Sequence, residues 1–456
     1  MNRVFAWLAT AALAIACALP AQAERESPPP PSPPQPFVLA DLQNVELPNG
    51  LAITFIPFGT VPKVTISAVV RTGALNQGGK IWLSSLATEL MKQGTQQRNA
   101  GQIAESAALM GGALSAQAGD DETSFGLDVL SESAPDAVKL LAEVMMQPSL
   151  PESELARLKQ DFQRTLSVQL SSPQTLADVA FSKLIYPHHP YGDEVPTPEQ
   201  LAGYTLEDVR QYYTANFGAQ RTHIYVAGQF DRESIEGAIR EQFGSWARGP
   251  APVIAPPRAA NVVETKLIDR PGAPQSTLRL GTRVIDPTHA DFMPLSVANT
   301  LLGGILTSRI TMNLREQKGW AYSPGSALSP KYRTGVWLET ADVQTANTGP
   351  SLSEIRKEIA RLAAEPPAAA ELDAIKRYRH GMFVLSNSTR GGIIGQVAFM
   401  NLHGLPREWL TTFVDRLYAV TPEQVRAATL EYLKPEHMTV VIVGDLAKVK
   451  PQLARK

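Results

Sequence analysis

The chain has almost no cysteine, and its charges nearly balance. Its one cysteine, Cys17, lies close to the amino terminus. If processing removes that end, disulfides and thiol chemistry are both excluded. The 42 Lys and Arg and 44 Asp and Glu residues give a net charge of −2. No basic run and no basic-aromatic alternation is present, so we expect no nucleic-acid partner.

Residues 1–23 have the pattern of an export signal. Arg3 supplies a positive charge, Val4 to Leu19 form an apolar run, and Ala21-Gln-Ala23 is a small-residue cleavage site. The alternative is a lipoprotein signal over Leu13 to Cys17, which would leave a lipid anchor on Cys17. Both interpretations export the chain, so we expect a periplasmic protein. The Ala-x-Ala site favours the soluble form.

Two proline-rich stretches divide the rest of the chain. Residues 24–40 contain a run of prolines typical of a polyproline II spacer. Residues 249–258 are again proline-rich and lack any periodicity, as an interdomain linker does. At 456 residues the chain is long enough for more than one core. We therefore predict two domains, 41–248 and 259–456.

The two predicted domains share a duplicated segment. Thr205-Leu-Glu-Asp-Val-Arg210 and Thr421-Pro-Glu-Gln-Val-Arg426 each begin an amphipathic helix that leads to an apolar strand ending in Gly228 or Gly444. A Thr followed three residues later by Asp or Gln fits a capping box at each helix start. The same helix, loop length and strand rarely arise twice by chance, so we predict two related halves.

Strand-like and helix-like runs are mixed in both halves without strict alternation. This favours an α+β fold, with helices packed on one face of a largely antiparallel sheet in each half. The predicted strands are Ala52–Ile56, Val64–Val70, Gln275–Gly281 and Gly335–Thr340. The predicted long helices are Pro135–Met146, Glu152–Leu170, Ser353–Ala363 and Pro367–Asn387.

The segment Leu83 to Thr95 predicts an amphipathic helix with an informative polar face. Its apolar residues recur at helical spacing and define a buried stripe. Ser85, Thr88 and Glu89 stand at i, i+3 and i+4 and share the opposite face. Residues at this spacing on one helix face are suited to hold a common ligand, but two hydroxyls and one carboxylate form a poor metal site.

The order of motifs along nearly the whole chain resembles the pitrilysin/insulinase metallopeptidases. The motifs are Leu47-Pro-Asn-Gly50, Met91-Lys-Gln-Gly94-Thr95, Tyr186-Pro-His-His-Pro-Tyr-Gly192, Leu302-Gly-Gly304, Ser308-Arg309 and Leu314-Arg-Glu-Gln-Lys-Gly-Trp-Ala-Tyr322. The resemblance implies two α+β halves, and a clam-shell of four such halves around a peptide-binding chamber. In short bacterial members that shell is a dimer.

The family's zinc motif, His-x-x-Glu-His, is not retained. Aligned on Gly94-Thr95, the motif positions are occupied by Ser85, Thr88 and Glu89. The third zinc ligand, a Glu roughly 75 residues later by resemblance, falls on or near Thr165. His188 and His189 are adjacent in a polar loop and have no partner at ligand spacing. We expect no metal and no cofactor in this chain.

A second family motif is retained. In short bacterial members an Arg and a Tyr at the spacing of Arg315 and Tyr322 face the zinc site and contact substrate. Some of these proteins work as pairs, in which one chain supplies His-x-x-Glu-His and the other supplies the Arg/Tyr pair. The resemblance thus implies that Arg315 and Tyr322 act in trans on a peptide bound by a zinc-bearing partner. From the residues alone, a solvated Arg and a half-buried Tyr are the alternative.

We therefore expect a zinc-free subunit of a heterodimeric periplasmic zinc peptidase, inactive alone and active only with its partner. The alternative is a non-catalytic envelope scaffold or peptide-binding protein on the same fold. A third hypothesis, an autonomous hydrolase, lacks a recognisable nucleophile because no Gly-x-Ser-x-Gly elbow is present. The glycines near Leu302 lack the Gly-Lys-Ser/Thr ending of a phosphate-binding loop.

Overall fold

The computed structural model describes residues 37–253, 255–258 and 262–454. The predicted signal 1–23, its Cys17 and most of the predicted spacer 24–40 lie outside the described residues. Within the described ranges, no helix combines the length and apolar character needed to cross a membrane. The predicted linker has neither helix nor strand at residues 249–253 and 255–258, while the exact domain boundaries stay predictions.

The first half is built on a six-stranded sheet. Its strands run in the order β1-β2-β6-β3-β5-β4. All neighbours pair antiparallel except β2 and β6, which are parallel. The strands are β1 Gln43–Glu46, β2 Ala52–Pro57, β3 Lys63–Val70, β4 Ser115–Ala118, β5 Thr123–Leu130 and β6 Thr222–Gly228.

The second half has a five-stranded sheet in the order β7-β11-β8-β10-β9. Again one pair is parallel, here β7 with β11, and the other pairs are antiparallel. The strands are β7 Thr265–Asp269, β8 Gln275–Val284, β9 Gly325–Lys331, β10 Thr334–Gln344 and β11 Thr439–Gly444.

Helices surround both sheets. In the first half they are α1 Leu83–Met91, α2 Ala100–Leu109, α3 Ala134–Met146, α4 Glu152–Ser171, α5 Pro173–Ile185, α6 Pro198–Gly203, α7 Leu206–Asn216 and α8 Arg232–Phe243. In the second half they are α9 Phe292–Leu302, α10 Arg309–Thr311, α11 Thr348–Ala364, α12 Ala369–Ser386, α13 Arg390–His403, α14 Glu408–Thr411, α15 Phe413–Ala419, α16 Pro422–Tyr432 and α17 Leu446–Leu453. A π-helical turn, Met312–Gln317, continues α10.

The predicted fold class and duplication are confirmed. If β1 is set aside, the sheet orders β2-β6-β3-β5-β4 and β7-β11-β8-β10-β9 are the same, and each parallel pair joins the first strand of its half to the last. Both predicted capping boxes form. Thr205 and Asp208 cap α7, and Thr421 and Gln424 cap α16.

Each sheet packs the long helices of its own half on one face. In the first half, inward residues of the strands, such as Ile53, Phe55 and Ile66, join α1, α3 and α4 in one apolar core. The second half repeats this core around Leu278, Leu280 and Trp337. Side chains alternate between the two faces of a strand, so the core residues occupy every second position. The same alternation leaves an opposite face on each sheet.

That opposite face is covered by a helix from the other half. Helix α5 of the first half packs on β11 and β8, and α13 of the second half packs on β6 and β3. Phe181 of α5 joins Val441 and Val443 in one buried cluster. Ile393 and Ile394 of α13 lie in the cluster that covers the first sheet. The two halves therefore exchange one helix each, which the sequence pattern did not predict.

An ion pair accompanies each exchanged helix. Arg390 at the start of α13 donates through Nε at 3.0 Å and Nη2 at 2.9 Å to Asp128 Oδ1 on β5. In the reverse direction, Arg279 on β8 donates two hydrogen bonds to Asp178 on α5. Guanidinium–carboxylate pairs of this kind fix orientation as well as adding energy. The two contacts hold the halves in a defined relation.

The exchanged helix α5 gives a direct stability prediction. Phe181 is 3% exposed. A Cβ on Gly281 would lie 2.8 Å from its Cζ, so the ring packs directly against the backbone of β8. We expect Phe181→Ala to lower the free energy of unfolding by about 3–5 kcal/mol, since it leaves a cavity between the halves. Urea denaturation measures this. The control Lys183→Ala, on the exposed side of the same helix, should change it by less than about 0.5 kcal/mol.

The contact between the first sheet and α13 also predicts a pH dependence. His223 stacks on Tyr225, whose hydroxyl accepts a hydrogen bond from Asn401 of α13. Burial, with a smaller effect of Arg71, lowers the pKa of His223 to about 4. The native state therefore disfavours the imidazolium. This histidine's contribution is full above the unfolded pKa of about 6.5 and is lost as the pH falls toward 4.

We expect the free energy of unfolding to fall between pH 7.5 and pH 5 by about 2 kcal/mol on account of His223. The variant His223→Gln can still bond Thr54, the native partner of the ring at 2.7 Å, and should show a correspondingly smaller fall. Denaturation at the two pH values measures the difference. His437→Gln, at an exposed position, is the control. Equal falls in wild type and His223→Gln would contradict the assignment.

Candidate functional site

Helix α1 forms as predicted and lies between its half's core and an edge strand. Its stripe residues Leu86, Ala87 and Leu90 are all fully buried. The helix packs against α7, α4 and β4. Among the described residues β4 pairs with β5 alone, so its other side is a free edge beside α1. The frame of the motif helix is thus complete without metal ligands.

The four predicted zinc-motif positions do not form a metal site. Thr88 is buried, and its hydroxyl donates to the Ser84 carbonyl at 2.8 Å. The Glu89 carboxylate pairs with Lys92 at 2.7 Å. Thr165 is exposed on α4 and donates to the Asp161 carbonyl at 3.1 Å. Ser85 is half-buried and lines a small cavity.

These side chains do not fit zinc, which requires imidazole, thiolate or unpaired carboxylate ligands in tetrahedral array. Hydroxyls bonded to their own helix and a carboxylate held by Lys92 offer no such set. Across the described ranges, no group of three or more His, Cys, Asp or Glu side chains is arranged to hold a metal ion. The motif positions on α1 therefore supply no ligand set for a metal ion.

The cavity beside Ser85 has a volume of about 170 Å³ and an acidic wall. Asp120 and Glu194 line it, and Lys331 from the second half forms an ion pair with Asp120. Next to it, Asp121 accepts a hydrogen bond from the Tyr191 hydroxyl. Burial raises the pKa of both Asp121 and Glu194.

Sequence reasoning missed this acidic cluster. The loop from Tyr186 to Gly192 was identified by its motif, but its partners Asp121 and Lys331 are far away in the chain. Their one local signal was the acidic run from Asp120 to Glu122, which the structure places just before β5. His188 and His189 lie in the same loop, and His189 Nε2 contacts the Ala255 carbonyl at 2.8 Å.

Arg315 and Tyr322 come together at the surface of the second half. Arg315 lies in the π-helical turn Met312–Gln317, and two residues after it Gly319 adopts the left-handed region with φ 64°. This reversal brings the Tyr322 ring to 5.1 Å from Arg315 Cζ. Tyr322 is 76% exposed, and Arg315 pairs only with its neighbour Glu316 among the described residues. Tyr322 is thus presented to solvent, while Arg315 is half-buried with its Nε paired to Glu316.

The two sequence-predicted groups remain separate within this chain. In the described residues, no hydrogen bond or ion pair joins Arg315 or Tyr322 to Ser85, Thr88, Glu89 or Thr165. The structure thus defines an α+β protein whose motif helix lacks zinc ligands and whose Arg/Tyr pair forms no hydrogen bond or ion pair with that helix in the described residues.

Comparison with protein families agrees with this description. A model described as "Insulinase (Peptidase family M16)" matches residues 59–199, and one described as "Peptidase M16 inactive domain" matches residues 203–378. The chain belongs to peptidase family M16. The resemblance seen in the sequence motifs is confirmed.

Several relatives cover nearly the whole chain. The uncharacterized zinc protease YmxG of Bacillus subtilis is 27% identical over 398 residues, which is 86% of this chain and 96% of that protein. An uncharacterized zinc protease of Mycobacterium leprae is 24% identical over 411 residues, 89% of this chain and 92% of that protein. These proteins are named for zinc, whereas α1 of this chain lacks the ligands.

Solved structures share the fold. A peptidase M16 inactive domain from Pseudomonas fluorescens has a TM-score of 0.82 at 24% identity, covering 89% of this chain and 98% of that one. A protease from Helicobacter pylori has a TM-score of 0.81 at 19% identity and covers 89% and 100%. The family and fold are consistent with a non-catalytic subunit.

Proposed function

We propose that this chain is the zinc-free subunit of a heterodimeric periplasmic zinc peptidase. Its partner would be a related chain with an intact His-x-x-Glu-His motif, which holds the zinc. This chain would complete the substrate chamber and offer Arg315 and Tyr322 to the bound peptide. The proposal combines the family membership with the loss of every ligand position on α1.

The exposed Arg/Tyr pair is the observation that carries the proposal. A guanidinium stacked on a tyrosine ring, with the ring 76% exposed, is not needed to bury any core. Apart from each other and Glu316, neither side chain has a partner in the described chain. The Tyr322 hydroxyl and the Arg315 guanidinium are positioned by the end of the π-helical turn. They are suited to donate hydrogen bonds to a ligand outside the chain.

The chemistry of peptide hydrolysis suits these two donors. When a peptide bond is attacked, negative charge develops on the carbonyl oxygen. The Tyr322 hydroxyl and the permanently charged Arg315 guanidinium can both donate to that oxygen or to neighbouring peptide carbonyls. An extended peptide could also add to the free edge of β4 by backbone pairing.

Activity of the reconstituted pair tests the proposal. The chain would be mixed with a related His-x-x-Glu-His chain from the same organism, and cleavage of a fluorogenic peptide library followed. We expect activity only in the mixture. Tyr322→Phe and Arg315→Gln should each lower kcat/KM by about 10²–10³, the usual effect of losing one transition-state donor. Glu89→Gln is the matched control and should leave activity unchanged.

Thermal melting of each variant separates a lost donor from a lost fold. Both side chains are at the surface, so the melting temperature should stay within a few degrees of wild type. Full activity of a mixture carrying Arg315→Gln and Tyr322→Phe together would remove their role. If no such partner gains activity from this chain, the alternative of an envelope scaffold or peptide-binding protein is favoured.

A further inference from the structure

The duplication gives the zinc-motif helix a counterpart in the second half. Helix α1 packs on edge strand β4 and capped helix α7, and α9 packs on edge strand β9 and capped helix α16. Their buried apolar positions also match. Leu86, Ala87, Leu90 and Met91 of α1 correspond to Val297, Ala298, Leu301 and Leu302 of α9.

This match places three polar residues of α9 at the motif positions. Ser296, Asn299 and Thr300 stand at i, i+3 and i+4, as Ser85, Thr88 and Glu89 do in α1. All three residues of α9 line a cavity of about 610 Å³ between α9, β9, α12, α13 and α15. This cavity therefore occupies the position in the second half that corresponds to the family's metal site in the first half.

The lining of this cavity is largely apolar, and its charged side chains are all positive. Its aromatic and large apolar residues include Phe292, Met382, Phe383, Phe399, Trp409 and Phe413. Its only charged residues are Arg379 and Arg416, and no Asp or Glu is among the described residues that line it. A cavity of this size is typical of small-molecule sites, which combine apolar walls with a few polar groups.

Arg379 reaches the cavity from α12, the counterpart of α4, where Thr165 lies. Its Nη1 donates to the Ser296 carbonyl at 3.1 Å and to Thr300 Oγ1 at 3.0 Å. Its Nε is shut off from solvent and has no hydrogen-bond partner among the described residues. Burial lowers the pKa of Arg379 to about 10. The side chain still carries its charge at neutral pH.

Arg416 is held by Trp409 and Thr412. Its Cζ lies 5.4 Å from the Trp409 ring centroid, its Nη2 donates to the Trp409 carbonyl, and its Nε donates to Thr412 Oγ1 at 3.3 Å. The buried acid Glu339 lies next to Gly303 and is not among the described residues that line the cavity. Burial raises the pKa of Glu339 well above its usual value, which disfavours its charged form.

A buried cation without a counter-ion costs free energy that an anionic ligand would recover. Nη2 of Arg379 has no hydrogen-bond partner among the described residues, and an arginine N–H donates strongly to a carboxylate. The geometry points to a binding site for an apolar carboxylate. Its head would lie on Arg379 at the α9 motif positions, and its body against Phe399, Trp409 and Phe413. The cavity then corresponds in position to the family's metal site but binds an anion instead of a cation. Binding at this site does not require the proposed partner.

Two sources can supply an apolar carboxylate: a fatty acid and the free carboxyl terminus of an apolar peptide. Calorimetric titration of the full chain with decanoate, and with a leucine tetrapeptide, distinguishes them. Decanol and the amidated tetrapeptide are the uncharged matches. We expect saturable one-to-one binding of at least one carboxylate, and binding of its uncharged match about tenfold weaker or more, because a charged hydrogen bond is lost.

Three variants test the place of binding. Arg379→Gln should weaken carboxylate binding about tenfold or more. Arg356→Gln is the matched control, because Arg356 is another arginine of the second half with a buried, unpaired Nε, and it does not line the cavity. Gly395→Leu covers the case in which Arg379→Gln fails to fold. A Cβ at Gly395 meets nothing within 4 Å, so leucine at this lining position should narrow the cavity and weaken binding.

The inference is overturned if neither carboxylate binds, or if the uncharged matches bind as tightly as the acids. It is also overturned if Gly395→Leu, or a folded Arg379→Gln, binds like the wild type. Binding of decanoate alone assigns the site to fatty acids, and binding of the free-acid peptide alone assigns it to peptide carboxyl termini. Either result supports the site.

Discussion

The exchange of α5 and α13 between the halves is the constraint on which the rest of the structure depends. Each sheet has two apolar faces, and each half supplies helices enough for one face of its own sheet. Among the described residues, the second face is covered mainly by the other half, with α13 on the first sheet and α5 on the second. Neither half can therefore bury its sheet alone, and residues 37–454 pack as one unit.

The core contacts of α1 explain how the motif helix can lack zinc ligands and keep its position. The apolar stripe of α1 is fixed by the core, whereas Ser85 and Glu89 face away from it. Substitution on that polar face costs little stability, so catalytic residues can be lost while the helix remains. The two motif helices now have opposite surroundings. Helix α1 lies beside the acidic wall formed by Asp120 and Glu194, and α9 lies beside Arg379 and Arg416.

Local signals in the sequence predicted much of the fold. The capping residues Thr205 and Thr421, the apolar alternation of β3 and β8 and the stripe of α1 depend on neighbours close in the chain. Local motifs also predicted the duplication of the two halves and the resemblance to the family. The helix exchange was beyond such signals, because Phe181 and Ile394 show that a face is apolar without showing which sheet it covers. The resemblance singled out Arg315 and Tyr322 as a pair, and the structure brings them together. The cluster of Asp121, Tyr191 and Lys331 joins distant segments and was missed.

The central claim is that this chain keeps the scaffold of an M16 peptidase half without its metal. Elemental analysis of the full, folded chain, purified from zinc-containing medium without chelators, tests that claim most directly. The account predicts zinc far below one ion per chain, unchanged in the variant Glu89→Gln. One zinc ion bound per chain, and lost when Glu89 is replaced, would contradict it.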